Sequence, residues 1–314
     1  MANYRLLTKL PRGVELKDPI LLASGCCGYG LEYSEIVDPS SIGGVITKAV
    51  SLDQREGNPT PRIVETPAGM LNCIGLQNPG IIEFCSKIIP EISLNGFSYF
   101  INVVGHSPEE FAKIINYVER FFEGTDFANQ GFCGYELDLS CPNVESGTLF
   151  ATDLALLSKT VGLCRKETEA LMVAKLSPNV GDIVPYAKLA HESGADVVTI
   201  ANTWNGVSIN TVTRKSNVSR PSAGLSGPAI RAATLYHVWR CHTELPKLPI
   251  LASGGITSAD SAIQYLLAGA TALQIGTGLF LDPASPIAIQ AGLLTYLDEQ
   301  GEDSLEAIIG TYKG

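Results

Sequence analysis

Short runs rich in valine, isoleucine and leucine recur along the chain, each followed by a longer stretch whose apolar positions return at helical spacing. Eight runs stand out, at residues 19–24, 44–48, 99–104, 135–140, 172–176, 197–201, 249–252 and 272–276. Apolar runs of this length, with little strict alternation, mark strands covered on both faces. Helical segments are expected at about residues 31–37, 79–93, 108–123, 152–167, 180–193, 228–242, 258–269 and 284–298. Strand followed by helix, repeated, builds a parallel sheet with crossover helices. The spacing stays even and no Gly-x-Gly-x-x-Gly turn follows the first strand, which favours a closed α/β barrel, the (β/α)8 TIM barrel, over an open doubly wound sheet. Residues 4–16, centred on Pro11-Arg12-Gly13, predict a short N-terminal β-hairpin that closes the barrel bottom. A tail helix is expected near 304–309, and no linker or low-complexity tract divides the chain, so a single domain is expected over residues 1–314.

Composition narrows the function classes. The 314 residues are 45% hydrophobic and include 31 glycines, enough for a large core and for many tight turns. The net charge of −10 and the scatter of basic residues exclude the electrostatic footprint of a nucleic-acid binder. An anionic ligand therefore needs a local cluster of cations or backbone amides. No apolar run reaches membrane-span length, and Met1-Ala2-Asn3-Tyr4-Arg5 lacks the apolar core of a signal peptide, so no membrane association and a cytoplasmic location are expected. The eight cysteines form no CxxC pair and no His lies at ligand spacing from them, so no metal or iron-sulfur site is expected within this chain.

In a barrel of this kind the chemistry sits at the carboxyl ends of the strands. Lys48 ends the second run, Asn102 lies in the third, the fourth leads into Asp138-Leu139-Ser140-Cys141-Pro142-Asn143, Lys175 is in the fifth, and Asn202-Thr203 follow the sixth. Each alone is a solvated strand cap as readily as a ligand, but five strand ends converge. Gly254-Gly255 and Gly276-Thr277 follow the last two strands, where bare amides next to helix starts suit a phosphate. Gly224-Leu225-Ser226-Gly227 adds a further glycine-rich approach. Cys141, in a loop over the barrel mouth, reads either as a packed cysteine or as a general base whose site helps it lose its proton.

The segments Ala23-Ser24-Gly25-Cys26, Gly57-Asn58-Pro59-Thr60-Pro61-Arg62, Met70 through Asn78, Ser140-Cys141-Pro142-Asn143-Val144, Lys175 through Val180, and Gly224 through Ile230 occur in an order that resembles the dihydroorotate dehydrogenases. The likeness spans nearly the whole chain and is strongest to class 1B, whose flavin barrel works with a separate electron-transfer subunit. The resemblance implies FMN across the barrel mouth, its phosphate on Gly254, Gly255, Gly276 and Thr277 with Gly227 nearby, and its ring and ribityl chain near Ser24, Lys48, Asn102, Asp138, Lys175 and Ala201. It implies a dihydropyrimidine, dihydroorotate, held by Lys48, Asn72, Ile74, Gly75, Leu76, Asp138, Asn143, Asn202 and Thr203. Cys141 would take the C5 proton while the C6 hydride passes to the flavin, giving orotate. The family likeness also implies a homodimer and a partner carrying FAD and an iron-sulfur cluster, while class 1A relatives use fumarate directly.

Asp138 departs from the pattern, since the family usually has asparagine there. An ionised Asp138 would repel the substrate carboxylate unless a cation neutralises it. Two consequences stand side by side: a buried ion pair with Lys48 or Lys175 that leaves the substrate unchanged, or a neutral substrate such as dihydrouracil. A flavin-binding subunit without catalysis and a colourless phosphate-binding aldolase or isomerase barrel are the remaining alternatives.

Overall fold

A computed structural model describes residues 4–139, 150 and 152–314. The strands in chain order are β1 (Thr8–Lys9), β2 (Glu15–Leu16), β3 (Ile20–Leu22), β4 (Gly44–Ile46), β5 (Ile63–Thr66), β6 (Gly69–Asn72) and β7 (Tyr99–Val103). They continue with β8 (Phe132–Asp138), β9 (Leu171–Lys175), β10 (Val197–Ile200), β11 (Trp204–Gly206), β12 (Ala223–Ser226), β13 (Ile250–Ser253) and β14 (Ala272–Ile275). Eight of them close into a barrel in the order β3-β4-β7-β8-β9-β10-β13-β14, and the neighbours run parallel. These are the eight strands expected from the apolar runs, and the architecture is the (β/α)8 TIM barrel.

Side chains along each barrel strand alternate between two apolar clusters, as the two-residue period of a strand requires. Ile20 and Leu22, Tyr99 and Ile101, Met172 and Ala174, and Ile250 and Ala252 pack outward against the helices. Leu21, Ile46, Phe100, Val173, Val197, Leu251 and Ala272 instead fill the lower barrel interior, and Leu10 and Leu16 from the β1–β2 hairpin plug it from below. The helix Pro108–Glu123 begins at the expected residue because Ser107 accepts a hydrogen bond from the Glu110 amide and Pro108 needs no donor partner.

Three local features differ from the sequence expectation. The segment 31–37 forms only a 3-10 turn, Glu32–Glu35, with Tyr33 as its one buried side chain, too little apolar surface to support an α-helix. The helical stretch at 79–93 contains a π-helical turn, Phe84–Ile88, between α-helical pieces ending at Asn95. The tail segment is likewise a short 3-10 turn, Leu305–Ala307. A four-stranded antiparallel sheet, β11-β12-β6-β5, is an addition that the apolar pattern does not announce. Among the described residues no helix is long and apolar enough to cross a membrane.

Candidate functional site

Above the apolar plug the barrel interior turns polar. Asn102, Glu136, Asp138, Lys175, Thr199 and Gln274 are buried on their strands two or more residues beyond the apolar layer. Glu136 is the centre of this layer. Its Oε1 accepts from Asn102 Nδ2 (2.7 Å) and Lys175 Nζ (3.4 Å), and its Oε2 from Thr199 Oγ1 (2.7 Å) and Gln274 Nε2 (2.6 Å). Donors from β7, β9, β10 and β14 thus meet one carboxylate, which fills its acceptor sites.

Over this floor opens a cavity of about 440 Å³, within the range of small-molecule sites. Its walls come from the carboxyl ends of the barrel strands: Ser24 after β3, Lys48 after β4, Asp138 at the end of β8, Lys175 at the end of β9, and Ala201, Asn202 and Thr203 after β10. Its roof is the added sheet and the loop behind it, through Asn72, Ile74, Gly75, Leu76 and Gly227. Gly254 and Gly255 after β13, and Gly276 and Thr277 after β14, complete the rim.

The rim is built for close backbone approach. The N–H groups of Gly254, Gly255, Gly276 and Thr277 make no hydrogen bond among the described residues, so four donors remain for a ligand. A Cβ on Gly255, whose φ is +69°, would lie 2.8 Å from Gly227 O, and one on Gly227, with φ of +94°, would lie 2.7 Å from Gly69 Cα. Both positions therefore require glycine. The adjacent helix, Ala259–Leu267, has its own cap in a reciprocal Ser258–Ser261 box, so the anion-binding capacity lies in the loop amides.

The charges around the cavity are unequal in their pairing. Burial, the largest influence on Lys175, opposes its positive charge, yet Glu136, Asp138 and Cys26 outweigh it and raise its pKa above the ordinary lysine value. The ion pair of Lys175 is with Glu136, a partner that the strand-end pattern does not name, while Asp138 lies opposite Lys175 in the β8–β9 register. Asp138 Oδ1 accepts from Asn202 Nδ2 at 3.2 Å, and the Asn202 Oδ1 accepts from the Thr203 amide at 2.7 Å. The asparagine is thereby fixed in one orientation. Half-buried Lys48 forms no ion pair among the described residues; burial lowers its pKa, Glu32 opposes that effect and Arg62 adds to it.

Asn102 alone among the anticipated and described site residues does not line the cavity: it is fully buried in the floor, where its amide serves Glu136 and its Oδ1 has no partner among the described residues. Cys141 and Asn143 lie outside the described residues. Arg62 also lines the cavity, anchored on Asn58 O, Glu56 O and Gln77 Oε1; it ends the segment Gly57–Arg62 that carries the family likeness, which implies no role for it. Glu136 is the other unanticipated residue, and its signal is a lone acid between the outward-facing Tyr135 and Leu137 of an apolar run. Cys26 is in the cavity wall, but burial pushes its thiol up to about 11, against a smaller opposing pull from Lys175, so it remains protonated near neutral pH. Among the described residues no cluster of three or more His, Cys, Asp or Glu is placed to hold a metal ion.

Leu76 shows how the roof is held. Its φ of +57° is unfavourable for a non-glycine residue. Asn78 offsets this by donating to Leu76 O at 2.7 Å while its Oδ1 accepts from the Ser51 and Gly80 amides. A similar brace supports the wall, where Asn179 donates to Thr203 O and accepts from the Asn205 amide.

The family model described as dihydroorotate dehydrogenase matches residues 5–297. The chain is 40% identical over 299 residues to the protein named dihydroorotate dehydrogenase B (NAD(+)), catalytic subunit, from Pelobacter propionicus, covering 95% of each chain. It is also 40% identical over 305 residues to the protein of the same name from Oceanobacillus iheyensis, covering 97% of each. Among solved structures, the Eimeria tenella dihydroorotate dehydrogenase in complex with ferulenol superposes with a TM-score of 0.81 over 99% of this chain and 89% of that one, at 19% identity, a likeness of fold. With a matched region that includes all of the described cavity-lining residues, the chain belongs to the dihydroorotate dehydrogenase family of oxidoreductases.

Proposed function

We propose that this protein oxidises dihydroorotate to orotate in pyrimidine biosynthesis with FMN as its cofactor. The observation that carries the proposal is the pairing, in one cavity, of a rim of four backbone amides that are free among the described residues with a buried ammonium, Lys175, on the floor. A phosphate suits the first, and a ring that gains negative charge on reduction suits the second. Glycine at 227 and 255 lets the rim loops pack backbone against backbone, where a Cβ would meet Gly69 Cα or Gly227 O. The orphaned Asn102 Oδ1 offers an acceptor beneath the same cavity.

Bound there, the isoalloxazine would supply the acceptor for the hydride leaving C6 of the substrate. The chain's part is to hold, orient and deprotonate. Asn72, Asn202 and Thr203, with Asn143, present the donor and acceptor groups that a pyrimidine's amide edges need. Cys141 is the base for the C5 proton. Asn202 is pre-set for its task because its own amide is already committed to Asp138 and Thr203.

Charge balance favours an anionic substrate. Among the described residues, Lys48, Arg62 and Lys175 line the cavity against a single lining acid, Asp138, and Lys48 has no ion-pair partner to give up. Even with Glu136 offsetting Lys175, an uncompensated cation remains for the carboxylate of dihydroorotate. The proposal extends to a homodimer that passes its electrons to an FAD and iron-sulfur subunit, in keeping with the two relatives named as catalytic subunits of the NAD(+) type.

The test is an anaerobic titration of the oxidised protein with dihydroorotate and, separately, dihydrouracil, followed by flavin absorbance. Bleaching by dihydroorotate is expected. Bleaching by dihydrouracil alone would replace the substrate with a neutral dihydropyrimidine, and a protein that retains no flavin would overturn the cofactor.

A further inference from the structure

Glu136 stands apart from the residues that line the cavity. It touches no cavity surface, is fully buried in the middle of β8, and yet is the point at which four strands meet through side chains. A buried carboxylate is costly unless it is paired and fully hydrogen-bonded. Here both oxygens face donors only, so the carboxylate is fully hydrogen-bonded where it is buried. Asn102 and Gln274 each donate an amide N–H to it, and among the described residues Asn102 Oδ1 and Gln274 Oε1 are buried without partners. The arrangement is organised around the carboxylate and, through it, around Lys175.

We propose that Glu136 is a positioning residue that acts through Lys175, holding its ammonium in place and charged at the cavity floor and thereby setting the reduction potential of the bound flavin. The inference rests on the flavin reading above. The groups that bear on Lys175 are Glu136 and Asp138 from β8 and Cys26 from the loop after β3; Lys48 and Arg62 share the cavity with it. Glu136 is the carboxylate in ion-pair contact with Lys175, Asp138 adds a second negative charge from the opposite register position, and Cys26 is a protonated thiol near neutral pH. Burial works against the ammonium, and loss of Glu136 leaves that influence less opposed.

The consequence has a sign that changes with pH. In Glu136→Gln, while Lys175 is still protonated, a negative charge near the flavin has been removed and the reduced, anionic ring is better stabilised. The midpoint potential then lies at or above that of the native protein. Once Lys175 loses its proton, the cation is gone as well and the potential falls below native. We expect the two potential–pH curves to cross between pH 6 and 10, with a tenfold or greater loss in the equilibrium constant for reduction at the alkaline end, about 30 mV for a two-electron couple.

The measurement is dye-equilibrated reduction of the flavin-loaded protein across that range, for native, Glu136→Gln, Lys175→Met and the double variant. In the Lys175→Met background, Glu136→Gln should raise the potential by the same amount at every pH. A constant offset between native and Glu136→Gln, or a crossing that persists without Lys175, overturns the proposal. If Glu136→Gln does not fold, the native curve decides: a break below pH 10 that is absent from Lys175→Met would show that Lys175 is not held charged. Failure of the flavin reading is separate, because the native protein would then carry no flavin to titrate.

Discussion

Asp18 sits at the opposite end of the barrel from the cavity, fully buried where β3 begins. Its Oδ1 accepts from the backbone amides of Ile20 and Gly43, both at 2.8 Å, and its Oδ2 accepts from Gln290 Nε2 at 2.6 Å. It ties the first two barrel strands to the last long helix, Ser285–Gln300. Burial raises its pKa from 3.8 to about 6, more than these three hydrogen bonds and Lys17 lower it. Between those two values the folded chain holds a proton that the unfolded chain has released, so stability falls as pH rises through the window. A rise of about two units is worth about 3 kcal/mol once pH is well above 6, and about 1.6 kcal/mol of that has already been lost at pH 5. Asp18→Asn removes the titration. Its amide keeps one acceptor for the two backbone donors, and any rearrangement of Gln290 adds an offset that does not vary with pH.

The expected result is therefore a difference of slopes. Relative to native, Asp18→Asn should gain about 1.4 kcal/mol of stability between pH 5 and pH 8. Reversible urea unfolding at both pH values measures this, with the apoprotein used throughout so that ligand release does not enter. Curves for the two proteins that stay parallel across the window, or that diverge in the opposite sense, would refute the argument that burial dominates at Asp18.

Three further outcomes concern the site. Cys141→Ala should retain flavin but lose at least about a hundredfold in the rate of flavin reduction by dihydroorotate near pH 7, measured by anaerobic stopped flow. Lys48→Met should raise the KM for dihydroorotate by about tenfold or more with a smaller effect on kcat, as loss of one charge-assisted hydrogen bond of about 1.5–3 kcal/mol predicts. Gly255→Ala places a Cβ 2.8 Å from Gly227 O at a φ of +69°, so the purified protein should hold less flavin per chain, read from its visible-to-ultraviolet absorbance ratio.

The barrel was legible because its strands are apolar on both faces, so eight runs stand clear of the helical segments between them. The roof was not. Ile63–Thr66 alternates between exposed and half-buried side chains, and β6 pairs with β12, more than a hundred residues away in sequence, so local pattern carries little of the information. The π-helical turn at Phe84–Ile88 was equally hidden, since it keeps the apolar residues of a helix and changes only the backbone hydrogen bonding. Site residues at strand ends could be anticipated from position alone. What position could not give was pairing: Lys175 reads as a ligand, and only the closed barrel brings Glu136, Thr199 and Gln274 together beneath it.

That layering separates two demands along one axis. Leu21, Phe100, Val173 and Leu251 fill the lower interior with hydrocarbon, beneath the charged layer. The same strands, two residues further on, carry Asn102, Lys175 and Ser253, because a strand returns its side chains to the interior at every second position. Charge can therefore be held at the cavity floor by a rigid frame whose own stability comes from hydrocarbon beneath it. A loop-borne lysine would lose its position whenever the loop moved. Lys175, fixed at the end of a barrel strand and bound to a carboxylate on the next, keeps its place whether or not a ligand occupies the cavity above.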